Sequence, residues 1–158
     1  MEQAILTQEA MIDTGNHVLD VVLTTKSLYC SQHHITFNCM ADGKLLQFIH
    51  VKDICSIFGN ALDNAIESVM QIEDEQKHLI ILNVTQKKQF LLIECENFTN
   101  NRPVPSGTFP PTSKTDKRNH GYGLKSIKAA AEKYGGSVSV SSENQWFTLK
   151  ILIPLPHE

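Results

Sequence analysis

Several sequence patterns that often identify the class of a protein are absent from this sequence. Its four cysteines, at positions 30, 39, 55 and 95, form no C-x-x-C pair, which excludes the common zinc and dithiol motifs and favours inert thiols in a reducing cytoplasm. There is neither a signal-peptide pattern nor an apolar run of membrane-spanning length, so we expect no membrane contact by this stretch. The formal net charge is −3 without a broad basic field, which argues against nucleic-acid binding.

The residues that are present suit one packed domain of the α/β class. With 41% hydrophobic residues in 158, the chain can bury one core but not two. A helical pattern runs from about residue 3 to residue 31, and a strand is expected at about 35–40. LIILNV and FLLIEC are predicted to form an antiparallel pair, and SVSVSS and WFTLKILI a hairpin around Glu143 and Asn144. We therefore expect a mixed, mostly antiparallel sheet with helices on one face.

The clearest predicted helix begins near Asp53, which we expect to cap it. Its apolar residues have the spacing of a helix face laid on a sheet: Ile54, Ile57, Phe58, Ala61, Leu62, Ala65, Ile66 and Val69. The opposite face carries Ser56, Asn60, Asp63, Asn64 and Glu67. A solvated surface is one explanation. However, asparagine is a poor helix former, so two asparagines one turn apart lower the stability of the helix without an obvious structural benefit. Asn60 and Asn64 can each point a carboxamide oxygen at Mg²⁺, the usual companion of a nucleotide.

A second motif, HGYGLKSI, places Gly121 and Gly123 at the start of a helix predicted at about 122–134. These glycines can simply turn the chain, or they can let a phosphate approach the backbone where helical N–H groups are unpaired. Positive charge precedes them at Lys114, Lys117 and Arg118. The irregular stretch 98–119 holds four of the six prolines, which predicts a lid, a binding loop or a disordered segment.

Taken together, these motifs resemble those of the GHKL superfamily, which includes gyrase, the heat-shock chaperone, histidine kinases and MutL-type repair proteins. NALDNAIES, residues 60–68, resembles the N box, and HGYGLKSI resembles the G2 box. The segment TSKTDKRNHGYGLKSI followed by AEKYGGSVSV is most similar to the catalytic domains of peptide-sensing, quorum-type histidine kinases. TGNHVLDVVLTTK, residues 14–26, resembles the helix that leads into those domains. The resemblance implies a Bergerat-type two-layer α/β sandwich that binds Mg·ATP between the Asn60–Asn64 helix and the lid.

The resemblance also implies roles for individual residues. Asn64 would ligate Mg²⁺ with help from Asn60, and both would act in catalysis. The rest of the ATP-binding set would come from the strand end and the G2 region: Asn97, Lys114, His120, Gly121, Tyr122, Gly123 and Leu124. Within this set, the glycines would let the backbone wrap the phosphates, and Lys114 and His120 would donate hydrogen bonds to them.

Three departures from the superfamily pattern matter for the chemistry. The usual Asp-x-Gly-x-Gly of the G1 box is missing, so Asn97 of IECENFTNN would have to accept the adenine amino hydrogen bond. Asn60 stands where gyrase-like members have a glutamate base, and an amide cannot take a proton, so fast ATP hydrolysis is disfavoured. Glu67 stands where many histidine kinases carry a lysine, so one phosphate contact is either missing or moved to the lid.

The resemblance divides the chain into a linker helix at 1–31, from a dimerisation domain that is not in this sequence, and a catalytic domain at 32–158. The implied function is transfer of the γ-phosphoryl group of Mg·ATP to a histidine on that dimerisation domain, because no histidine here, His17 included, has an acceptor setting. The partners would be that domain of the same full-length kinase and a downstream response regulator. We expect the cytoplasmic part of a membrane-anchored homodimer.

Two other functions fit the same motifs. One is a stand-alone serine kinase of the anti-sigma type, which shares the fold and needs no upstream helices. The other is a non-catalytic module that senses a nucleotide and presents a surface to a partner. The long N-terminal helix favours the histidine kinase, because a free-standing kinase has little use for a linker.

Overall fold

The computed structural model describes residues 12–100 and 122–157, with only the backbone of Tyr122. Residues 3–11 of the predicted N-terminal helix, most of the predicted lid, and Lys114, His120 and Gly121 therefore lie outside the described residues. The elements in the described ranges are α1 (His17–Gln32), β1 (Thr36–Ala41), α2 (Val51–Met70), β2 (Leu79–Lys87), β3 (Phe90–Phe98), α3 (Tyr122–Glu132), β4 (Ser137–Glu143) and β5 (Trp146–Pro154). No helix in these ranges is long and apolar enough to cross a membrane.

The five strands form one mixed sheet in the order β1-β2-β3-β5-β4. β1 runs parallel to β2, and the other neighbours are antiparallel. The parallel pair requires a crossover connection, and α2 supplies it. The predicted α/β fold class, with a mixed and mostly antiparallel sheet, is confirmed.

Alternating burial along the strands defines the face of the sheet that meets the helices. In β3, in β5 and in β2 up to Val84, every second residue is buried, while most of the residues between them are partly exposed. The buried set includes Ile80, Leu82, Val84, Leu91, Ile93, Cys95, Leu149, Ile151 and Ile153. All eight residues of the predicted apolar stripe on α2 are buried in the same core. The spacing of these residues thus predicted correctly which side of α2 faces the sheet.

The start of α1 differs from the sequence prediction. Residues 12–16 lie within the predicted helical stretch but are not helical, and α1 begins at His17. Gly15 takes a φ of 96°, and Asn16 caps α1 by accepting from the Leu19 N–H at 3.0 Å. Leu19 and Leu23 are completely buried in the core shared with α2 and the sheet. α1 is therefore packed into the same core as the other elements, and the boundary at residue 31 stays a prediction.

The start of α2 is also corrected. His50, not Asp53, caps the helix: its Nδ1 accepts from the Lys52 N–H at 3.0 Å. Asp53 lies in the first turn, is only 4% exposed, and binds residues that follow α3. Its Oδ2 accepts from the Tyr134 hydroxyl at 2.6 Å, and its Oδ1 accepts from Lys133 Nζ at 3.0 Å. The Tyr134 hydroxyl in turn accepts from the His50 N–H at 2.9 Å, and we call these four residues the α2–α3 clamp.

The clamp changes the acidity of its members. The pKa of the Asp53 carboxyl is lowered, chiefly because the Tyr134 hydroxyl donates to the charged form, although burial opposes this. The pKa of the Tyr134 phenol is raised, first by burial and then by its hydrogen bond to Asp53. Asp53 is therefore a buried carboxylate that stays charged because of its partners.

The end of α3 and the last hairpin follow the predicted pattern. Beyond α3, Gly135 takes a φ of 74°, and the Gly136 N–H donates to the Ala131 carbonyl at 3.0 Å. The β4–β5 hairpin turns at Asn144 and Gln145, both with positive φ, as a two-residue turn of the primed type requires. This turn lies one residue beyond the predicted one.

Two glycine substitutions should move stability in opposite directions. A Cβ at Gly136 would lie 2.7 Å from both the Leu152 carbonyl oxygen and Ile153 Cγ1, whereas a Cβ at Gly59, inside α2, would meet nothing within 4 Å. We expect Gly136→Ala to lower the free energy of unfolding by at least about 1 kcal/mol through overpacking. Gly59→Ala should raise it by about 1 kcal/mol through helix propensity. Urea unfolding measures both, and a shift of the same sign in the two variants would contradict this packing.

Asp53→Asn tests the charge in the clamp. We expect it to lower the free energy of unfolding at pH 7 by about 2 kcal/mol, because the buried carboxylate loses charge-assisted hydrogen bonds. The folded pKa lies below the ordinary value of 3.8, so this contribution is fully present above about pH 5 and is lost as the pH falls through the folded pKa.

Urea unfolding between pH 7 and pH 3 should therefore show the difference between wild type and Asp53→Asn narrowing toward acid. Asp42→Asn is the matched control, because Asp42 is exposed and only accepts from the Lys44 N–H, which an amide oxygen can also do. A difference that stays constant over this pH range would show that the charge on Asp53 contributes nothing.

Candidate nucleotide-binding site

Asn60 is held in one orientation on the outer side of α2. Its side chain is half-buried, and its Nδ2 donates to the Ser56 carbonyl at 2.7 Å, with the Ser56 hydroxyl at 3.4 Å. Because this contact occupies the amide nitrogen, Oδ1 is the atom turned away from the helix backbone. Asn60 thus presents an oriented amide oxygen, the atom that the sequence analysis predicted as a Mg²⁺ ligand, and that role stays a prediction.

Gly123, in the first turn of α3, lies directly opposite this acceptor. A Cβ at Gly123 would be 3.6 Å from Asn60 Oδ1 and 3.8 Å from Asn60 Cβ. A side chain at position 123 would therefore cover the amide oxygen, and glycine leaves it open. The two motifs found far apart in the sequence meet here, at the junction of α2 with the start of α3.

Asn64 lies one turn further along α2 and is also half-buried. Its amide has no hydrogen-bond partner among the residues that the structure describes. A half-buried amide keeps part of its surface in water, so its polar atoms can exchange water for a ligand without breaking a hydrogen bond to any residue in the described ranges. It is well suited to meet a ligand.

Asn97 lies beneath this part of α2, at the end of β3. It is 1% exposed, and its Nδ2 donates to the Phe98 carbonyl at 2.7 Å. Two contacts bracket its position: the Cys95 thiol is 4.0 Å from the Ala61 carbonyl, and the Ser68 hydroxyl donates to the Phe98 carbonyl at 3.5 Å. Asn97 therefore lies under the stretch of α2 that carries Asn64.

Of the remaining predicted site residues, some lie within the described ranges and others lie outside them. Leu124 is 5% exposed and belongs to the hydrophobic core, where it anchors the first turn of α3. Tyr122 begins that helix. Lys114, His120 and Gly121 lie outside the described residues. The structure thus brings Asn60 and Gly123 together directly and places Asn97, at the end of β3, beneath the stretch of α2 that carries Asn64.

The outer face of α2, expected to be one polar surface, is divided between two neighbours. Asp63 forms an ion pair with Lys26 of α1. A cleft of about 320 Å³ opens between the two helices there, lined by Thr25, Lys26, Tyr29, Asp63, Ile66 and Glu67. Sequence reasoning missed Lys26, because nothing in the local pattern of α1 indicates its partner on α2.

Other groups with chemical potential do not form a second centre. Within residues 12–100 and 122–157 there is no cluster of three or more His, Cys, Asp or Glu side chains that could hold a metal ion. The four cysteines are free thiols, and burial raises the pKa of Cys30 and Cys39 to about 11 and that of Cys95 to about 12. These three thiols stay protonated and unreactive at neutral pH, as the sequence indicated.

Comparison with known proteins gives a consistent family. The catalytic domain of histidine kinase ThkA, in a nucleotide-free form, has a TM-score of 0.66 at 17% identity, covering 90% of this chain and 93% of that one. Another nucleotide-free form has a TM-score of 0.65 at 15% identity, covering 87% and 92%. Acinetobacter baumannii histidine kinase AdeS has a TM-score of 0.58 at 14% identity, covering 89% of this chain and 64% of that one. These similarities show the fold.

No curated protein matches the chain. The sequence profile of the GHKL domain family matches residues 49–154, from just before α2 to the end of β5. The matched region contains α2, α3 and the junction between them. The chain belongs to the GHKL domain family.

Proposed function

We propose that this chain binds Mg·ATP and transfers the γ-phosphoryl group to a histidine on the dimerisation domain of the same full-length kinase. The main observation behind the proposal is that Asn60 Oδ1 faces Gly123. A Cβ atom at position 123 would lie 3.6 Å from this oxygen, and glycine has no Cβ. An oriented amide oxygen facing the bare first turn of a helix is suited to a cation and to phosphate oxygens at once.

In this proposal Asn64 ligates Mg²⁺ and Asn60 assists it. The fit rests on the donor set: both groups are neutral amides, so a hard cation can share them with phosphate oxygens without an excess of carboxylates. Magnesium bound with the nucleotide would neutralise phosphate charge. Asn97, whose nitrogen is engaged by the Phe98 carbonyl, offers its oxygen to the amino group of adenine.

The other proposed contacts come from the G2 region. The backbone at Gly121, Tyr122, Gly123 and Leu124 would follow the phosphates. Lys114 and His120 would donate to them. Leu124 supports this indirectly, because its burial in the core fixes the height of the helix start above the sheet.

The described residues near Asn60 also bear on the reaction type. Asp63 is engaged by Lys26 and Asp53 by the clamp, so neither carboxylate is placed to take a proton from water. A neutral imidazole is already a nucleophile and needs no such base. The site therefore suits transfer to histidine better than hydrolysis.

The wider assignment follows from the motif resemblance. We propose the quorum-type, peptide-sensing subclass, with the chain as the cytoplasmic part of a membrane-anchored homodimer that passes its phosphoryl group on to a response regulator. The serine-kinase and nucleotide-sensing alternatives share the same pocket. They differ in what happens to the γ-phosphoryl group, and this is where an experiment separates them.

Nucleotide binding should depend on Asn64. We expect calorimetric titration to show magnesium-dependent binding of ATP, and Asn64→Ala to weaken it at least tenfold, about 1.4 kcal/mol, with unchanged circular dichroism. Asn38→Ala is the matched control, since Asn38 is exposed on β1. Equal binding by wild type and Asn64→Ala would refute the metal assignment.

The fate of the phosphoryl group should identify the function. Incubated alone with γ-labelled ATP, the chain should neither label itself nor release phosphate quickly. Mixed with the histidine-bearing dimerisation segment of its own full-length protein, it should label that segment with an acid-labile, base-stable bond. Acid-stable phosphoserine on a partner would support the serine kinase, and absence of transfer with every partner would support the nucleotide sensor.

A further inference from the structure

α2 and α3 approach each other at two separate points. At one end, Asp53 of α2 holds Lys133 and Tyr134, which follow α3. At the other end, Asn60 of α2 faces Gly123 at the start of α3. The two helices therefore run in opposite directions, with the clamp at one end of their contact and the candidate nucleotide site at the other.

Because these two points lie far apart along the helices, a small change of angle at the clamp displaces the start of α3. Helical rise puts Asn60 about 10 Å from Asp53 along α2, and Gly123 about 15 Å from Lys133 along α3. Because a helix of this length moves as a nearly rigid rod, a tilt of about 5° at the clamp shifts Gly123 by roughly 1 Å, a displacement that matters for oriented groups.

Apolar packing between the helices does not set this angle by itself. Side-chain packing favours a class of crossing angle, but helix pairs of one class still differ from each other by about 15–20°. The clamp is directional: the Tyr134 hydroxyl donates to the Asp53 carboxylate at 2.6 Å and accepts from the His50 N–H at 2.9 Å. One side chain after α3 is thus tied to both a side chain and the backbone at the start of α2.

We propose that Asp53 and Tyr134 are positioning residues of the nucleotide site. They fix the angle of α3 on α2 and thereby the spacing between Asn60 Oδ1 and Gly123, which sets the affinity for Mg·ATP. This inference rests on the proposed function for its ligand. Neither residue touches the nucleotide, so their effect passes through the position of the helix start.

Tyr134→Phe tests this directly, because it removes one hydroxyl and keeps the ring. We expect the Kd for Mg·ATP to rise at least threefold, measured by calorimetry at a temperature where every variant is folded. Tyr29→Phe is the matched control, since Tyr29 lies on α1 and stacks on His33 through its ring. Val84→Ala is the stability control, because it leaves a cavity in the core beside β2, which lies between β1 and β3 in the sheet. Both controls should bind like wild type.

A second measurement needs no nucleotide. The amide resonances of Gly123 and of the Asn60 side chain should shift in Tyr134→Phe and stay in place in Val84→Ala. If Tyr134→Phe binds Mg·ATP like wild type, if Val84→Ala weakens binding equally, or if the resonances do not move, the positioning role is overturned. If wild type itself does not bind Mg·ATP, the proposed function fails and this inference fails with it. Asp53→Ala provides an independent second variant with the same expected direction.

Discussion

The burial of one face of α2 against the sheet is the constraint on which the rest of this structure depends. Eight apolar side chains lie on that face, and each buried leucine, isoleucine or phenylalanine contributes about 1.5–3 kcal/mol. Rotating the helix by even one residue would expose several of them. The rotation of α2 is therefore fixed by its apolar face, and the direction of Asn60 and Asn64 follows from it without any interaction of their own.

The outer side of α2 makes three separate contacts with two neighbouring helices. Its first turn is bound to the end of α3 through Asp53, its middle faces the start of α3 through Asn60, and its far flank is bound to α1 through Asp63. Charged groups make the contacts between helices at Asp53 and Asp63, while the uncharged amide of Asn60 lies at the junction with Gly123. This separation leaves a surface there that an anionic ligand can approach without meeting either of these two carboxylates.

Local patterns in the sequence predicted much of the fold, and long-range pairings could not be predicted. The apolar spacing on α2 and the two hairpins depend on residues close together in the chain, so they were correct. The order of strands was not predictable, because β5 inserts between β3 and β4 and its partner β3 is distant in sequence. The clamp is hidden for the same reason, since Asp53 and Tyr134 are on different elements.

Two errors have a local cause, and one juxtaposition was implied by the resemblance. Histidine is an unusual helix cap, so Asp53 was the better candidate on composition although His50 takes the role. The helical pattern was predicted to run through Gly15, but the positive φ of Gly15 places the start of α1 after it. The order of the motifs implied that Asn60 and Gly123 lie close together. Asn97 was identified by its position after a strand. Its hydrogen bond to the Phe98 carbonyl is visible only in the structure.

The pairing of β3 with β5 rather than with β4 has a consequence for the order in which the sheet can form. The β2–β3 and β4–β5 pairs join strands that are neighbours in the sequence, whereas the β3–β5 pairs join residues from 48 apart (Phe98 with Trp146) to 64 apart (Phe90 with Pro154). Contacts between residues far apart in the sequence form slowly, because a long stretch of chain loses entropy before the contact gains any energy. The two hairpins should therefore form before the β3–β5 contact that joins them, and this contact is the slow step in completing the sheet.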